Sequence, residues 1–272
     1  MNILFYDSPI SRAYLTILKE NNVKIKKIIY LSKFKEINLK FIDNFLCYQN
    51  FKSNNFHAIK IYKKLKDKYD FLKLLKIFKL KSNFFKIMYN DIEISKHCEE
   101  FKIEKFNSFK NLNNIFNYFD SEKKEYVLFT GGGILPKNFF KKKNLKFIHI
   151  HPGNIPNVVG ADGFIHSYLN ESKLCSTSFI MNKNIDAGPI IKKTFQKKFK
   201  LNYPDLNNRE LYNFIFAFVD PLLRAQNLLS ILKFFSKNYF IEKKNNLKNR
   251  KYYTFAKEKE LNLFNKNFFI KN

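Results

Sequence analysis

The chain opens on a strand–helix–strand pattern and later returns to it, and this repetition constrains the fold more than any other feature. Ile3-Leu4-Phe5-Tyr6 is an apolar run of strand length, Asp7-Ser8-Pro9 is a turn, and a helix is expected from about Ser11 to Glu20. Val23 to Leu31 then supplies a second strand, with apolar and lysine residues roughly alternating. The same grammar resumes with Ile103-Glu104-Lys105-Phe106 as a strand, Leu112 to Phe119 as a helix and Tyr126-Val127-Leu128-Phe129 as a strand. Lys146 to His151 follows as a strand, then a helix near Phe164 to Leu169, then strands at Ser176–Met181 and Ile190–Phe195. Parallel strands need long crossover connections, usually helical, so this alternation points to an α/β chain with a Rossmann-like, mostly parallel sheet. There is no internal repeat.

The α/β domain is expected to occupy residues 1–200, with a helical insertion at about 33–90. Residues 201–272 are expected to form a C-terminal helical extension and a short tail. In the insertion, Leu65, Tyr69, Leu72, Leu75 and Phe78 fall at helical spacing, with Lys63, Lys66, Lys73 and Lys76 between them. Such a helix can rest on an anionic membrane or grip RNA, or it can pack on the sheet with a solvated lysine face; the second reading is favoured. Asp205 is expected to cap a helix over Leu206 to Val219. Asp220-Pro221 is then expected to start another, running to about Phe235, with Asp at the N-cap and Pro at the first helical position. From Glu242 onward no element is signalled clearly.

With 45% hydrophobic residues the chain can build a proper core, which excludes general disorder. The net charge of +27 resembles a nucleic-acid signature, yet it is almost all lysine: Arg12, Arg209, Arg224 and Arg250 are the only arginines. Lysine excess here accompanies heavy use of Asn, Ile, Phe and Tyr and no Trp, the residues of A/T-rich codons. Readers of bases and phosphates usually rely on the arginine fork, so a nucleic-acid partner is not favoured. Cys47, Cys98 and Cys175 are widely spaced, so neither a disulfide framework nor a zinc site is indicated, and a reducing cytoplasm is the natural setting. The apolar run before Asp7 is too short for a signal peptide. The best apolar stretch, Leu211 to Leu232, is interrupted by Asp220, Pro221 and Arg224, so no transmembrane segment is expected.

Three segments can carry chemistry. Thr130-Gly131-Gly132-Gly133-Ile134-Leu135-Pro136 follows a strand directly, where glycines let a ligand approach the backbone at a sheet's carboxyl edge. It matches neither a Walker nor a dinucleotide fingerprint. In Phe147-Ile148-His149-Ile150-His151-Pro152-Gly153, strand alternation puts His149 and His151 on one face, and two imidazoles at a buried strand end are costly without partners. In Asn184-Ile185-Asp186-Ala187-Gly188-Pro189-Ile190-Ile191, an aspartate sits in a glycine-containing turn. Alone, Asp186 reads as a turn residue bonding its own backbone.

In this order, with Gly160-Ala161 and Thr177 between them, the segments resemble the folate-dependent formyltransferases over about Tyr126 to Phe195. That group includes glycinamide ribonucleotide transformylase, methionyl-tRNA formyltransferase and the nucleotide-sugar N-formyltransferases. The resemblance implies a formyltransferase fold and transfer of formyl from 10-formyltetrahydrofolate to an amine. It implies His151 as general acid/base with Asp186 as partner. Gly131, Gly132, Gly133, Ile134 and Leu135, together with Asp186, would hold the folate. An imidazole oriented by a carboxylate suits a reaction in which one proton leaves the attacking nitrogen and another reaches the folate.

The family usually has Asn two residues before that histidine, donating to the oxyanion; this chain has His149, whose N–H can donate as well, more strongly when charged. Acceptor contacts are expected from Pro152, Gly153, Asn154 and Gly160. His149, His151 and Asp186 also match a two-His-one-carboxylate metal set, but no metal is assigned because the resemblance accounts for them. The expected acceptor is a small amine, such as an amino sugar on a nucleotide, since too few residues follow Phe235 for the β-domain of methionyl-tRNA formyltransferase. Methionyl-tRNA formyltransferase-like activity, hydrolysis of 10-formyltetrahydrofolate, and a lysine-driven RNA or membrane-surface binder are the alternatives. A homodimer is compatible with all of them.

Overall fold

The computed structural model describes residues 1–32, 71–91, 94–105, 112–120, 122–202, 207–236 and 240–270. Strand β1 (Asn2–Phe5) is buried along its whole length, as a strand covered on both faces must be. Ser8 caps helix α1 (Pro9–Glu20) through a capping box with Ser11, with Pro9 in the first turn. Strands β2 (Ile25–Ser32), β3 (Cys98–Lys105), β4 (Glu125–Phe129) and β5 (Leu145–His151) join β1 in parallel. After the two-residue strand β6 (Val159–Gly160), β7 (Lys173–Ile180) pairs antiparallel with β5 and with β8 (Ile190–Lys197). The order β3–β2–β1–β4–β5–β7–β8 is the Rossmann-like, mostly parallel sheet expected. The chain leaves β1 and β4 in opposite directions, so a crevice opens at their carboxyl ends.

Several elements differ from expectation. The segment after β3 is a 3₁₀ helix, Asn113–Tyr118, rather than an α-helix; it is rich in asparagine and has no side-chain cap. In the insertion, helix α2 (Phe71–Ile77) turns Phe71, Leu74 and Leu75 inward with Phe78, while Leu72 is 49% exposed. Counting steps of three drifts around a 3.6-residue helix, which is why the real stripe is offset. Leu65 and Tyr69 lie outside the described residues. Phe71 and Phe85 pack on Phe218, which fastens this region to the core.

After α3 (Gly163–Asn170) and β9 (Leu201–Asn202), helix α4 (Asn208–Phe214) is capped by Asn207 with Glu210; Asp205 lies outside the described residues. The helix does not stop at Val219. It passes through a π-turn, Ile215–Val219, into α5 (Asp220–Ser236), and Asp220 itself has helical φ −57° and ψ −44°. Asp220 is therefore no N-cap. Pro221 lacks the N–H that would pair with the Ala217 carbonyl, and the wider turn accommodates its ring. That carbonyl instead accepts a hydrogen bond from the Tyr89 hydroxyl, 2.5 Å. The whole run, Asn208–Phe235, is long and apolar enough to cross a membrane despite Asp220, Pro221 and Arg224, but most of it is buried inside the protein, where it covers one sheet face with α1.

The tail, for which no element was clear, is also structured. Strand β10 (Tyr252–Tyr253) pairs with β6. Helix α6 (Glu258–Phe268) buries Phe264 and Phe268 against Phe164 and Tyr168 of α3, and β11 (Phe269–Ile270) pairs with β9.

Candidate active site at the carboxyl ends of β4 and β5

Strand β5 ends in His149-Ile150-His151, and the turn Pro152-Gly153 stops it. His151 is buried, and its Nε2–H donates to the Val158 carbonyl, 3.0 Å. A Cβ on Gly153 would lie 2.6 Å from that Nε2, so the ring can sit here only because position 153 has no side chain. With Nε2 protonated, Nδ1 is the ring's acceptor, and it lies 3.7 Å from Asp186 Oδ2. Asp186 adopts a left-handed φ of 48°, and its Oδ2 accepts the Gly160 N–H at 2.8 Å.

The tail secures this turn. Asn245 donates to the Asp186 carbonyl (3.4 Å) and Arg250 to the Ile185 carbonyl (2.9 Å). Gly160 has a φ of 97°, and a Cβ there would come within 2.2 Å of the Tyr253 carbonyl, so pairing of β6 with β10 requires glycine. Beneath, Thr177 donates to the Gly153 carbonyl at 2.7 Å and holds the loop in place.

His149 packs between Phe129 and Phe179, with Nδ1 donating to the Phe129 carbonyl at 3.4 Å. In this tautomer Nε2 is an acceptor, so His149 does not present the donor that an asparagine amide would. Burial, reinforced by the Arg224 charge, pushes the His149 pKa well down. Burial also lowers that of His151, against the opposing pull of Asp186. Both imidazoles are therefore neutral near pH 7, which removes the charged-donor version of His149.

His149, His151 and Asp186 line one cavity of about 510 Å³, along with Gly132, Gly133, Ile134, Leu135, Pro152 and Gly160. Gly131, Gly153 and Asn154 are not on its wall. The Asn154 side chain is drawn off between Glu171 (3.1 Å) and Lys193 (2.9 Å).

Sequence reasoning missed two charged groups of the cavity wall, Asp220 and Arg224. Arg224 Nε donates to Asp220 Oδ1 at 2.9 Å, and its Nη1 donates to the Ile150 carbonyl between the two histidines. The signal was available: an Asp and an Arg at i, i+4 within an otherwise apolar helix need a reason to be there. It also missed Asp162, at φ 50°, which accepts from the Tyr212 hydroxyl and the Ala256 N–H, both 2.8 Å. Among the described residues no group of three His, Cys, Asp or Glu is placed to hold a metal ion. Cys98 and Cys175 are free thiols; Cys47 lies outside the described residues.

No protein-family model matches the chain, and no curated protein matches its sequence. Solved structures do match. A sugar N-formyltransferase from Shewanella sp. FDAARGOS_354 superposes with a TM-score of 0.51 at 14% identity, covering 93% of this chain and 76% of that one. A 4-N formyltransferase from Francisella tularensis gives 0.48 at 15% identity, covering 93% and 75%. An N-formyltransferase from Helicobacter canadensis in complex with folinic acid and dTDP-3-aminofucose gives 0.38 at 16%, covering 69% and 68%. With its sheet order and its crevice at the carboxyl ends of β1 and β4, the chain has the Rossmann-like formyltransferase fold.

Proposed function

We propose that the chain is a formyltransferase that moves a formyl group from 10-formyltetrahydrofolate to the amino group of a small acceptor. The observation that carries this reading is the buried His151–Asp186 pair in a cavity of the formyltransferase fold.

The glycine turn fits the folate. A Cβ on Gly132 would meet nothing within 4 Å, and Ile134, 67% exposed, stands beside Leu135, Phe140 and Met181 on the cavity wall. These residues offer a flat ring an apolar seat with open backbone beside it. When bound, the donor supplies the formyl carbon and leaves with a proton on the nitrogen that carried it. His151 and Asp186 act on the acceptor. Nδ1 and Oδ2 are both hydrogen-bond acceptors, 3.7 Å apart, and one amine nitrogen with two hydrogens satisfies both. Nδ1 takes a proton from that nitrogen, Asp186 stabilises the imidazolium, and the Val158 carbonyl keeps the tautomer fixed. Because burial disfavours the charged ring, His151 gives the proton up again readily.

For the acceptor we propose a nucleotide-linked amino sugar; the similar Shewanella structure is that of a sugar N-formyltransferase. Exposed Tyr252 and Phe255 on the cavity wall offer flat faces to a base or sugar ring. A second reading, hydrolysis of the donor, is favoured by one observation: His149 Nε2 is an acceptor able to orient water. Incubation with 10-formyltetrahydrofolate and a panel of UDP-, dTDP- and GDP-linked amino sugars, read by mass spectrometry, separates the two. Gain of one formyl group supports transfer. Formate release that no acceptor accelerates supports hydrolysis, and the absence of both products overturns both readings.

A further inference from the structure

The three carboxylates on the cavity wall can be compared oxygen by oxygen. Both Asp162 oxygens are taken, by Tyr212 and by the Ala256 N–H. Asp186 Oδ2 holds the Gly160 N–H and faces His151. Asp220 is different. Its Oδ1 is held by Arg224, but Oδ2 is buried and has no hydrogen-bond partner among the described residues, although the residue is 1% exposed. A desolvated carboxylate oxygen without a donor is costly, and its place on the cavity wall lets a ligand supply the donor.

The charges decide what kind of donor. Arg224 already neutralises Asp220, so a second cation at Oδ2 would sit beside a guanidinium and be repelled. A neutral hydroxyl meets no such penalty. The acceptor's amine is better placed at His151 and Asp186, where no lysine or arginine among the described residues is paired with the carboxylate. The two positions are joined through Arg224, which bridges Asp220 to the Ile150 carbonyl one residue before His151, and both line the same cavity. Asp220 is also rigid, fixed by the π-turn before it and the Arg224 bridge after it.

We propose that Asp220 is a substrate-binding residue whose Oδ2 accepts a hydrogen bond from a hydroxyl next to the acceptor's amino group. The inference rests on the formyl-transfer reading and narrows the acceptor to a vicinal amino alcohol, as found in an amino sugar.

The test uses the whole chain and the panel acceptor it formylates fastest, beginning with dTDP-3-aminofucose, in which hydroxyls flank the amine, and with analogues lacking either hydroxyl. Asp220→Asn should raise the acceptor KM roughly 10- to 100-fold, the range for a hydrogen bond to a charged group. It should leave kcat and tetrahydrofolate affinity nearly unchanged. Deleting the contacted hydroxyl should penalise the native chain by the same factor and Asp220→Asn hardly at all, as a double-mutant cycle requires. If Asp220→Asn strands Arg224 and unfolds, Asp220→Leu with Arg224→Met removes the pair together and is read from the hydroxyl-deleted analogues alone, because losing Arg224 also frees the Ile150 carbonyl. An unchanged acceptor KM, or equal loss of both substrates' affinities, overturns the inference. Turnover only of amines lacking such a hydroxyl overturns it too, with formyl transfer intact. If nothing is formylated, both readings fall.

Discussion

At the glycine turn after β4, a Cβ on Gly132 would meet nothing within 4 Å and Ile134 stands 67% exposed. At the facing turns, a Cβ on Gly160 would come within 2.2 Å of the Tyr253 carbonyl, and Asp186 is held through its carboxylate and its carbonyl. One wall of the cavity leaves its apolar surface open; the other has its polar groups bonded in advance. On the proposed reading of the site, the difference matches two tasks. A flat donor needs surface area and tolerates adjustment, whereas a proton-handling pair must be held to a fraction of an ångström before the acceptor arrives.

The largest effect should come from the fastened wall. His151→Ala or Asp186→Asn should lower kcat/KM by about 10²–10⁴-fold while circular dichroism stays native. Full activity in both would remove the assignment. Next is Gly160→Ala, which forces a side chain into a left-handed backbone and against Tyr253. It should cost about 1–3 kcal/mol, seen as a melting temperature lowered by about 2–4 °C for each kcal/mol, with activity falling in step. Gly132→Ala should leave the melting temperature unchanged, and an equal penalty there would erase the contrast between the walls. On the open wall, Ile134→Ala should weaken tetrahydrofolate binding by roughly 3- to 10-fold, a fraction of a fully buried isoleucine's contribution, without moving the melting temperature.

The smallest effect should be on stability against pH. Burial holds both site imidazoles below the ordinary histidine value of 6.5. The unfolded chain therefore binds protons that the folded chain refuses as pH falls below that value. Stability is full above it and declines as pH drops toward the lowered native values. His149→Asn should flatten this slope in urea melts between pH 7.5 and 5; an unchanged slope would mean that His149 does not contribute.

What could be read from the sequence follows from how local each signal is. The strands of the parallel sheet are short apolar runs, and Gly160, His151 and Asp186 stand in an ordered series, so fold and central pair were both legible. Asp220 was misread because Asp-Pro is a sound signature of a helix start. What the dipeptide does not reveal is the π-turn that carries the helix through it, with the Ala217 carbonyl served by Tyr89 from far away in sequence. Asn154 stands in the expected loop, yet Glu171 and Lys193 turn it away, and neither contact is visible before the strands are paired. The same holds for Asp162, whose partners Tyr212 and Ala256 come from a helix and a tail that only the fold brings together.

The contact between Tyr89 and the Ala217 carbonyl has a consequence for how this chain can change over generations. Pro221 deletes a backbone donor, and a residue contributed by a different part of the chain covers the loss. Positions 89 and 221 are therefore expected to be coupled. Losing the tyrosine should cost more stability while Pro221 is present than beside a residue whose own N–H can serve that carbonyl.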